Sequence, residues 1–280
     1  MEKKHNFSWD KLYLAVVFVF LYVPIVYLMA YSFNKGDTMN SFTGFSMRHF
    51  AELFSDTRLI VILLETFMLA FLSALIATAV GTFGALSIYY VKKRQQRMAI
   101  LSLNNILMVS PDVIIGASFL ILFTAIGSLV GGIGLGFWTV ILSHVAFSIP
   151  IVVLMVLPKL QEMNESMVSA AYDLGANNFQ VLKDIILPFL TPGIIAGYFM
   201  AFTYSLDDFA VTFFVTGNGF TTLAVEIYSR ARRGVSLEIN ALSTLVFLFA
   251  LVLVVGYYYI SKDNKSEKKS ERRQKGGVMR

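Results

Sequence analysis

The sequence predicts an all-α integral membrane protein with six transmembrane helices, and three of its properties point to this fold class. Of the 280 residues, 56% are hydrophobic and only 15% are charged. The mean hydropathy is +0.68, which is higher than a soluble domain of this length would show. Apolar runs of about 20 residues, the length at which a helix crosses a bilayer, recur along the chain.

Six apolar runs are long enough to cross the membrane as helices. They are Leu12–Phe33, Ile60–Tyr90, Ala99–Ile126, Phe137–Leu157, Ile185–Val211 and Ala241–Ile260. The second, third and fifth runs are longer than a bilayer requires, so we expect them to tilt or to extend past the membrane. Residues 1–261 therefore form a single predicted transmembrane domain. The segment 262–280 alternates in charge and has almost no apolar residues, which predicts a disordered cytoplasmic tail.

The distribution of Lys and Arg predicts that both termini lie in the cytoplasm. If the N-terminus is inside, 17 of the 23 Lys and Arg residues fall on the inner side and 6 fall in the outer loops. Positive charge collects on the cytoplasmic side of membrane proteins. The outer cluster Arg230, Arg232 and Arg233 runs against this rule locally. The same distribution favours membrane lipid headgroups over nucleic acid as the partner of the basic residues.

Motifs for catalysis, nucleotide binding and metal binding are not evident in the sequence. No GxxxxGKS/T pattern occurs, and the glycine-rich loop Gly127–Gly136 lacks the GxGxxG spacing of a nucleotide-binding turn. The chain has no Cys and only 3 His, without clustered ligands. Ser143 and His144 lack the third group of a protease triad, which favours a hydrogen bond between helices. We expect no catalytic residue, no metal and no cofactor in this chain.

A polar, helix-forming segment separates the fourth and fifth runs. Apolar residues recur in it at helical spacing and predict one apolar face, made of Met163, Met167, Ala170, Ala171 and Leu174. Gly175 is expected to end this helix and turn the chain. Asn177 and Asn178 suit the cap of a second short helix, Phe179–Ile186, which ends before Pro188. The pattern leaves two structures open, an amphipathic helix pair on the bilayer surface and an element that docks another protein.

The same segment resembles the EAA loop of ABC-importer permeases. The family pattern is Glu-Ala-Ala, three residues, Gly, nine residues and Ile-x-Leu-Pro. This chain has Ser169-Ala-Ala-Tyr-Asp-Leu-Gly175 and, after nine residues, Ile185-Ile-Leu-Pro188. The resemblance implies that residues 163–186 form coupling helices that dock on a cytoplasmic ATPase. The implied coupling residues are Glu165, Ser169, Ala170, Ala171, Asp173, Gly175, Ile185 and Pro188. Ser169 replaces the usual Glu, and we hypothesise that Glu165, one turn earlier on the same face, supplies the carboxylate.

A wider resemblance covers nearly the whole chain. The chain is similar to the spermidine/putrescine permease subunits of ABC importers, which have the MetI-like type I permease fold. The matching segments are Ser110-Pro-Asp-Val113, Leu206-Asp-Asp-Phe-Ala-Val-Thr212, Glu226-Ile-Tyr-Ser229 and Arg233-Gly-Val-Ser-Leu-Glu-Ile-Asn-Ala-Leu-Ser243. The resemblance implies a permease in the cell membrane that moves polyamines by alternating access. It also implies three partners: a sister permease in a heterodimer, an ABC ATPase dimer that binds ATP and Mg²⁺, and an extracytoplasmic polyamine-binding protein.

Two alternatives to a polyamine importer stay open. A permease of the same fold could carry another solute, such as ferric ion or thiamine. An ion-gradient-driven secondary transporter would work without an ATPase, and we would expect inverted repeats and broken spans in its sequence.

Carboxylates inside the apolar runs mark a candidate substrate pathway. A carboxylate at mid-bilayer costs about 2.5–3.5 kcal/mol, so Asp112 in the third run and Asp207 and Asp208 in the fifth require an explanation. Carboxylates and aromatic rings together suit flexible, multiply charged amines with apolar linkers, and Tyr204 and Phe209 supply the rings. Successive helical residues point about 100° apart, so we expect only one of the two neighbouring aspartates to face a pore directly.

The same acidic residues have structural explanations as well. Asp112 could cap or brace the helix that Pro111, the residue before it, leaves with a free end. Asp207 and Asp208 could be solvated near the outer surface, and Glu65 is expected to lie at the membrane interface. The family resemblance associates the matching aspartates and Ser205 with transport.

Overall fold

The computed structural model describes residues 9–131, 134–233, 237–248 and 251–252, and in these ranges the chain is helical apart from its loops. An isolated antiparallel bridge between Asn34 and Phe45 is the β pairing found in the described part of the chain. The helices are α1 (Trp9–Ser32), α2 (Arg48–Ser55), α3 (Thr57–Tyr90), α4 (Arg94–Val109), α5 (Asp112–Val130), α6 (Phe137–Glu162), α7 (Glu165–Asp173), α8 (Asn178–Gln180), α9 (Leu187–Asp207), α10 (Ala210–Val215), α11 (Leu223–Arg233) and α12 (Leu237–Leu248). The prediction of an all-α membrane fold is confirmed.

Five helices in the described ranges are long and apolar enough to cross a membrane. They are Lys11–Ser32, Thr57–Tyr90, Asp112–Val130, Phe137–Glu162 and Asn178–Asp207. The shorter apolar helix α12 overlaps the start of the sixth predicted run, and most of the rest of that run lies outside the described residues. The segment 262–280 lies outside them as well. The sixth span and the disordered tail therefore stay predictions.

The prediction of one continuous helix over Ala99–Ile126 is wrong. α4 ends at Val109, and α5 starts at Asp112. Ser110 between them has an extended backbone, with φ −69° and ψ 139°, because the ring of Pro111 disfavours the helical conformation in the residue before it. Only α5 has the composition of a span, and α4 has no buried residue.

The predicted second coupling helix, Phe179–Ile186, is not separate from the fifth span. α8, a π-helical turn at Val181–Ile186 and α9 form one continuous helix of 30 residues, Asn178–Asp207. Pro188 lies inside this helix, and the wider π turn directly before it accommodates a residue that has no backbone N–H. The predicted run to Val211 is also wrong at its C-terminus, because the long helix stops four residues earlier.

Small residues allow α3 and α9 to pack closely against α6. Val152 of α6 is fully buried between them. A Cβ atom added at Gly81 of α3 would lie 2.7 Å from the Val152 Cβ, and one added at Gly197 of α9 would lie 3.3 Å from its Cγ1. At Gly193, an added Cβ would lie 3.1 Å from the Met155 carbonyl oxygen. Gly193 and Gly197, four residues apart on α9, therefore allow close packing against α6.

The described residues fall into two compact units, one within residues 58–229 and the other within residues 1–57 and 230–280. The first unit holds the helices from α3 to α10 and most of α11. In the second unit, the apolar window of α1 has no buried residue, as is expected of a helix that faces lipid.

A buried asparagine orders the loop between α1 and α2. The Asn34 side chain is fully buried, and its Nδ2 donates to the carbonyl oxygens of Thr38 and Ser41 at 3.1 and 3.0 Å. Its Oδ1 accepts from the backbone N–H of Thr43 at 2.8 Å. On the surface of this loop, an Arg48 guanidinium nitrogen lies 3.0 Å from Asp37 Oδ1 in an exposed ion pair.

Candidate functional site

A carboxylate and an aromatic hydroxyl from two different spans meet in the unit of residues 58–229. The Tyr204 hydroxyl of α9 donates to Asp112 Oδ1 of α5 at 3.0 Å. Both side chains are exposed, and the Phe147 ring of α6 packs edge-on against the Tyr204 ring with centroids 5.0 Å apart. The structure therefore joins two residues that the sequence places 92 positions apart. An exposed carboxylate beside aromatic rings is suited to an organic cation.

The break before α5 explains why Asp112 is accessible. Pro111 has an extended backbone, with φ −58° and ψ 132°, and the helix starts again at Asp112. Asp112 is therefore the acidic residue in the first turn of α5, where the helix dipole stabilises negative charge. The prediction that Asp112 could brace a helix freed by Pro111 describes its position correctly, and its carboxylate still has an exposed surface.

Asp207 and Asp208 are adjacent in sequence but differ in environment. Asp207 is the last residue of α9 and is exposed. The Asp208 side chain is only 8% exposed. It accepts hydrogen bonds from the backbone N–H groups of Val211 and Thr212 at 3.2 and 2.8 Å, and so it caps the start of α10. Asp207 is thus the more accessible of the two, and the expectation that only one of them faces a pore stays a prediction.

A buried chain of hydrogen bonds connects Asp208 to residues of four helices. The Thr212 hydroxyl donates to Asp208 Oδ2 at 2.8 Å, and His144 Nε2 lies 2.8 Å from the Thr212 Oγ1. On the other side of the ring, His144 Nδ1 lies 2.7 Å from the Ser205 Oγ, which lies 2.9 Å from the Ser73 Oγ. We refer to these five residues as the His144 network. Apart from Asp208, each member is at most 1% exposed.

One donor in the His144 network can be assigned from the carboxylate at its end. Because the Thr212 hydroxyl gives its proton to the Asp208 carboxylate, its oxygen accepts from His144 Nε2–H. The Ser205 hydroxyl is the partner of the other ring nitrogen, Nδ1. The network thus links α3, α6, α9 and α10 with each hydroxyl and ring nitrogen in use, as buried polar groups require.

The remaining predicted pathway residues are less accessible than Asp112. Ser205 is buried in the His144 network, and Phe209 is half-buried with its ring 4.4 Å from the Tyr228 ring. Sequence reasoning identified His144 as the source of a hydrogen bond between helices, and this is confirmed. It did not identify Ser73 or Thr212, because a lone hydroxyl in an apolar run carries no signal for its partner.

Residues 163–186, which we call the coupling segment, have the predicted helix end and turn. Gly175 has a φ of +86°, and the N–H of Ala176 donates to the carbonyl of Ala171 at 3.0 Å, which closes α7 in a left-handed turn. Asn177 Oδ1 then accepts from Gln180 N–H at 2.9 Å and begins the next helix. Asn178, predicted as a second cap, is instead the first helical residue.

The predicted apolar face of this segment is wrong in part. Met163 and Ala171 are buried, and they pack with Val181 and Ile186 of the following helix. Met167, Ala170 and Leu174 instead face outward, and Leu174 is 89% exposed. Met163 lies before the N-cap of α7, so its helical phase does not continue into the helix. The outward apolar side chains Met167, Tyr172, Leu174 and Phe179 form a surface that we call the coupling patch.

The polar coupling residues lie on the exposed side of the same segment. Glu165, Ser169 and Asp173 are all exposed on α7. The Ser169 hydroxyl donates to the Glu165 carbonyl at 3.2 Å, so it is held against its own helix. Further along, Ile185 is half-buried in the π turn and Pro188 is exposed. The role of these residues in docking an ATPase stays a prediction.

Comparison with known proteins places the chain among importers. The family described as binding-protein-dependent transport system inner membrane component matches residues 77–262. The spermidine/putrescine transport system permease protein PotC of Haemophilus influenzae is 37% identical over 90% of this chain and 96% of the relative. The putrescine transport system permease protein PotI of Escherichia coli K12 is 33% identical over 96% of each. A bacterial alginate ABC transporter, solved with an alginate-bound periplasmic protein, has the same fold, with a TM-score of 0.70 over 88% of this chain and 91% of the other, at 19% identity.

Proposed function

Since the chain belongs to the binding-protein-dependent transport system inner membrane component family, we propose that it is the permease subunit of an ATP-driven importer of polyamines such as spermidine and putrescine. The observation that carries this proposal is the exposed Asp112–Tyr204 pair within the spans. Asp207 follows Tyr204 by three residues on α9, and residues at this spacing share one helix face.

This arrangement matches the chemistry of a polyamine. Each ammonium group loses water when it leaves the aqueous phase, and a carboxylate replaces that water with an opposite charge. The methylene linkers between ammonium groups are apolar and pack against an exposed ring such as that of Tyr204. The substrate classes in the names of the PotC and PotI relatives support the same assignment.

The proposed mechanism is alternating access driven by the coupling segment. ATP binding closes the partner ATPases, which displace residues 163–186 and open the substrate pathway to the outside. The second part of the coupling segment, from Asn178, continues into α9 without a break. Its displacement therefore moves the helix that carries Tyr204 and Asp207. ATP hydrolysis restores the inward-facing state. Asp112 and Asp207 bind the substrate in passage, and Ser205, Asp208 and Phe209 support the helix ends beside it.

The proposal includes partners that this chain requires. A sister permease completes a heterodimer, an ABC ATPase dimer binds ATP and Mg²⁺, and an extracytoplasmic binding protein delivers the polyamine. The chain lies in the cell membrane with both termini in the cytoplasm. The coupling patch, with Leu174 at its tip, is the surface that enters the ATPase groove, and Glu165 replaces the carboxylate that Ser169 lacks.

Reconstitution of the complete importer in proteoliposomes tests the proposal. We expect uptake of radiolabelled spermidine that requires ATP inside the vesicles and the loaded binding protein outside. The same vesicles should take up neither thiamine nor ferric ion. Uptake of one of those solutes in place of the polyamine would support a permease of the same fold for another substrate.

A second reconstitution, with this chain alone, tests the rival mechanism. We expect no polyamine uptake when an ion gradient is the only energy source. Uptake under that condition would identify a secondary transporter and would contradict the ATP-driven mechanism.

A further inference from the structure

Glu65 lines an open cavity at the end of the helix bundle that is remote from the coupling segment. The cavity has a volume of about 400 Å³ and includes Phe137, Asn218 and Phe220 in its lining. Phe137 begins α6, whose other end adjoins the coupling segment. A helix of this length spans about 39 Å, so the two features lie on opposite sides of the membrane.

The lining has the chemistry of a site for an organic cation. Glu65 is the charged residue among the described residues of the lining. It is half-buried, and no described residue forms a hydrogen bond or ion pair with its carboxylate. The Phe137 and Phe220 rings meet edge to face, with centroids 5.2 Å apart. A carboxylate, aromatic rings and the amide oxygen of Asn218 are the groups that bind an ammonium ion in proteins.

The loop that carries Asn218 and Phe220 is held in place at both ends. The carbonyl of Val215 accepts from the Thr139 hydroxyl at 2.8 Å, which ties its start to α6. The N–H of Leu223 donates to the Thr66 hydroxyl at 2.9 Å, which ties its end to α3 directly beside Glu65. Within the loop, the Thr216 hydroxyl donates to the Phe220 carbonyl at 2.6 Å. The cavity is therefore a built feature of the fold.

The cavity and the His144 network adjoin the same helix, α3, about two turns apart. Glu65 and Ser73 are eight residues apart on α3, which corresponds to about 12 Å along the helix axis. The apolar cluster that includes Leu69 and Phe147 separates the two positions, and Phe137 and Phe220 pack against this cluster. A cation that binds at Glu65 is thus separated by one apolar layer from Tyr204, whose ring contacts Phe147.

We propose that Glu65, Asn218 and the Phe137–Phe220 pair form an outer binding site for a primary ammonium group, where one end of the substrate binds before it reaches Asp112. This inference rests on the proposed function, because it assigns the first contact of the same substrate. It adds a role in transport to Glu65, which the sequence predicts to lie at the membrane interface.

Uptake by the complete importer in proteoliposomes tests the site kinetically. We expect Glu65→Gln to raise the concentration of spermidine-loaded binding protein at half-maximal uptake by about fivefold or more. Glu65→Asp keeps the charge and should change it by less than about twofold. The matched control is Asp37→Asn, which removes an exposed carboxylate from the loop after α1 and should leave uptake unchanged.

Chemical modification of the wild-type importer tests the same site without a variant. With the importer held by a non-hydrolysable ATP analogue, a water-soluble carbodiimide should label Glu65. N,N,N′,N′-tetramethyl-1,4-diaminobutane, a diamine that forms no stable amide with the activated carboxylate, should protect it. The uncharged 1,4-butanediol, which has the same length, should give no protection.

The outcomes separate this inference from the proposed function. If the wild-type importer moves no polyamine, the proposed function fails. If it moves polyamine but Glu65→Gln behaves as wild type and the diamine does not protect Glu65, the outer site is wrong. The Glu65→Gln importer could also lose affinity equally for the loaded and the unloaded binding protein. That result would show that Glu65 docks the binding protein, and it would overturn the outer site as well.

Discussion

Tyr204 and Ser205 are neighbours in one helix but have different positions in the candidate pathway, one exposed and one buried. Tyr204 is exposed and holds the Asp112 carboxylate at 3.0 Å, whereas Ser205 turns inward and bonds His144. Asp207 and Asp208 divide in the same way, one exposed and the other buried as a helix cap. At the scale of residues, the exposed members are the ones that a substrate can contact, and the buried members hold them in position.

Removal of the Asp112 charge should impair transport more than removal of its hydrogen bond. Asp112→Asn keeps the size of the side chain but loses the charge that binds an ammonium group. We expect it to lower spermidine uptake by the reconstituted importer roughly tenfold, equivalent to about 1.4 kcal/mol. Tyr204→Phe keeps the ring and the charge of its partner, so it should lower uptake by less. Equal effects of the two changes would contradict a direct role for the charge.

Loss of the His144 ring should destabilise the folded protein. His144→Leu leaves the Ser205 and Thr212 hydroxyls buried with one partner fewer each, and we expect a loss of about 1–3 kcal/mol in the free energy of unfolding. Ser143→Ala is the matched control, because among the described residues the Ser143 hydroxyl bonds the Thr139 carbonyl of its own helix, at 2.8 Å, and no other helix. Thermal unfolding of the detergent-purified protein measures both. A His144→Leu protein as stable as Ser143→Ala would show that the network contributes little.

At the scale of elements, the breaks between helices are the functional features. The Ser110–Pro111 break places Asp112 at the start of α5, and the break at Asp208 separates α9 from α10. By contrast, the junction at Pro188, where the sequence suggested a boundary, is continuous. A proline ends a helix when the residue before it cannot stay helical, but a π turn ahead of it relieves that conflict. Local sequence cannot tell these two outcomes apart.

Two glycines of α3 should respond differently to the addition of a methyl group. At Gly81 the new Cβ would overlap Val152 at 2.7 Å, so we expect Gly81→Ala to destabilise the protein by about 1–3 kcal/mol. At Gly84 the nearest atom is 3.7 Å away on Val153, so Gly84→Ala should be neutral or slightly stabilising through helix propensity. Thermal unfolding compares them, and similar melting temperatures would contradict close packing of α3 on α6.

The EAA-like helix α7 allows a test of the charge substitution. Glu165→Gln removes the carboxylate that we assign in place of Ser169, and it should lower both spermidine uptake and stimulated ATP hydrolysis severalfold. Restoring the family residue with Ser169→Glu in the same chain should recover part of both activities, because the two positions lie one turn apart on one face. Unchanged uptake and ATP hydrolysis in Glu165→Gln would show that the docking surface does not use this charge.

At the scale of the whole molecule, composition predicted more than local patterns did. The apolar runs located the spans, because a helix in lipid must be apolar over a fixed length. The boundaries were less accurate, since Asp112 and Asp208 were placed inside runs when they lie at helix ends. The full His144 network could not be predicted from the sequence. It joins four helices, and their packing decides which hydroxyl contacts the His144 ring.

The cysteine-free chain permits a direct test of its orientation. A single Cys introduced at Asp37 should react with a membrane-impermeant maleimide in intact cells. One introduced at Leu174, which is 89% exposed, should react only after the membrane is opened. The Lys and Arg distribution predicts that the loop with Asp37 is outside the cell and that Leu174 is in the cytoplasm. The reverse pattern would place the coupling segment outside and would exclude an ATPase partner there.

The unbroken helix Asn178–Asp207 has a mechanical consequence. A rod of 30 residues is about 45 Å long, so it acts as a lever, and a tilt of about 5° around one end displaces the other by about 4 Å. That stroke exceeds the length of the hydrogen bond between Tyr204 and Asp112, which is 3.0 Å. In the proposed mechanism, a small rotation imposed at the coupling patch is therefore large enough to release the carboxylate, and no helix needs to unfold.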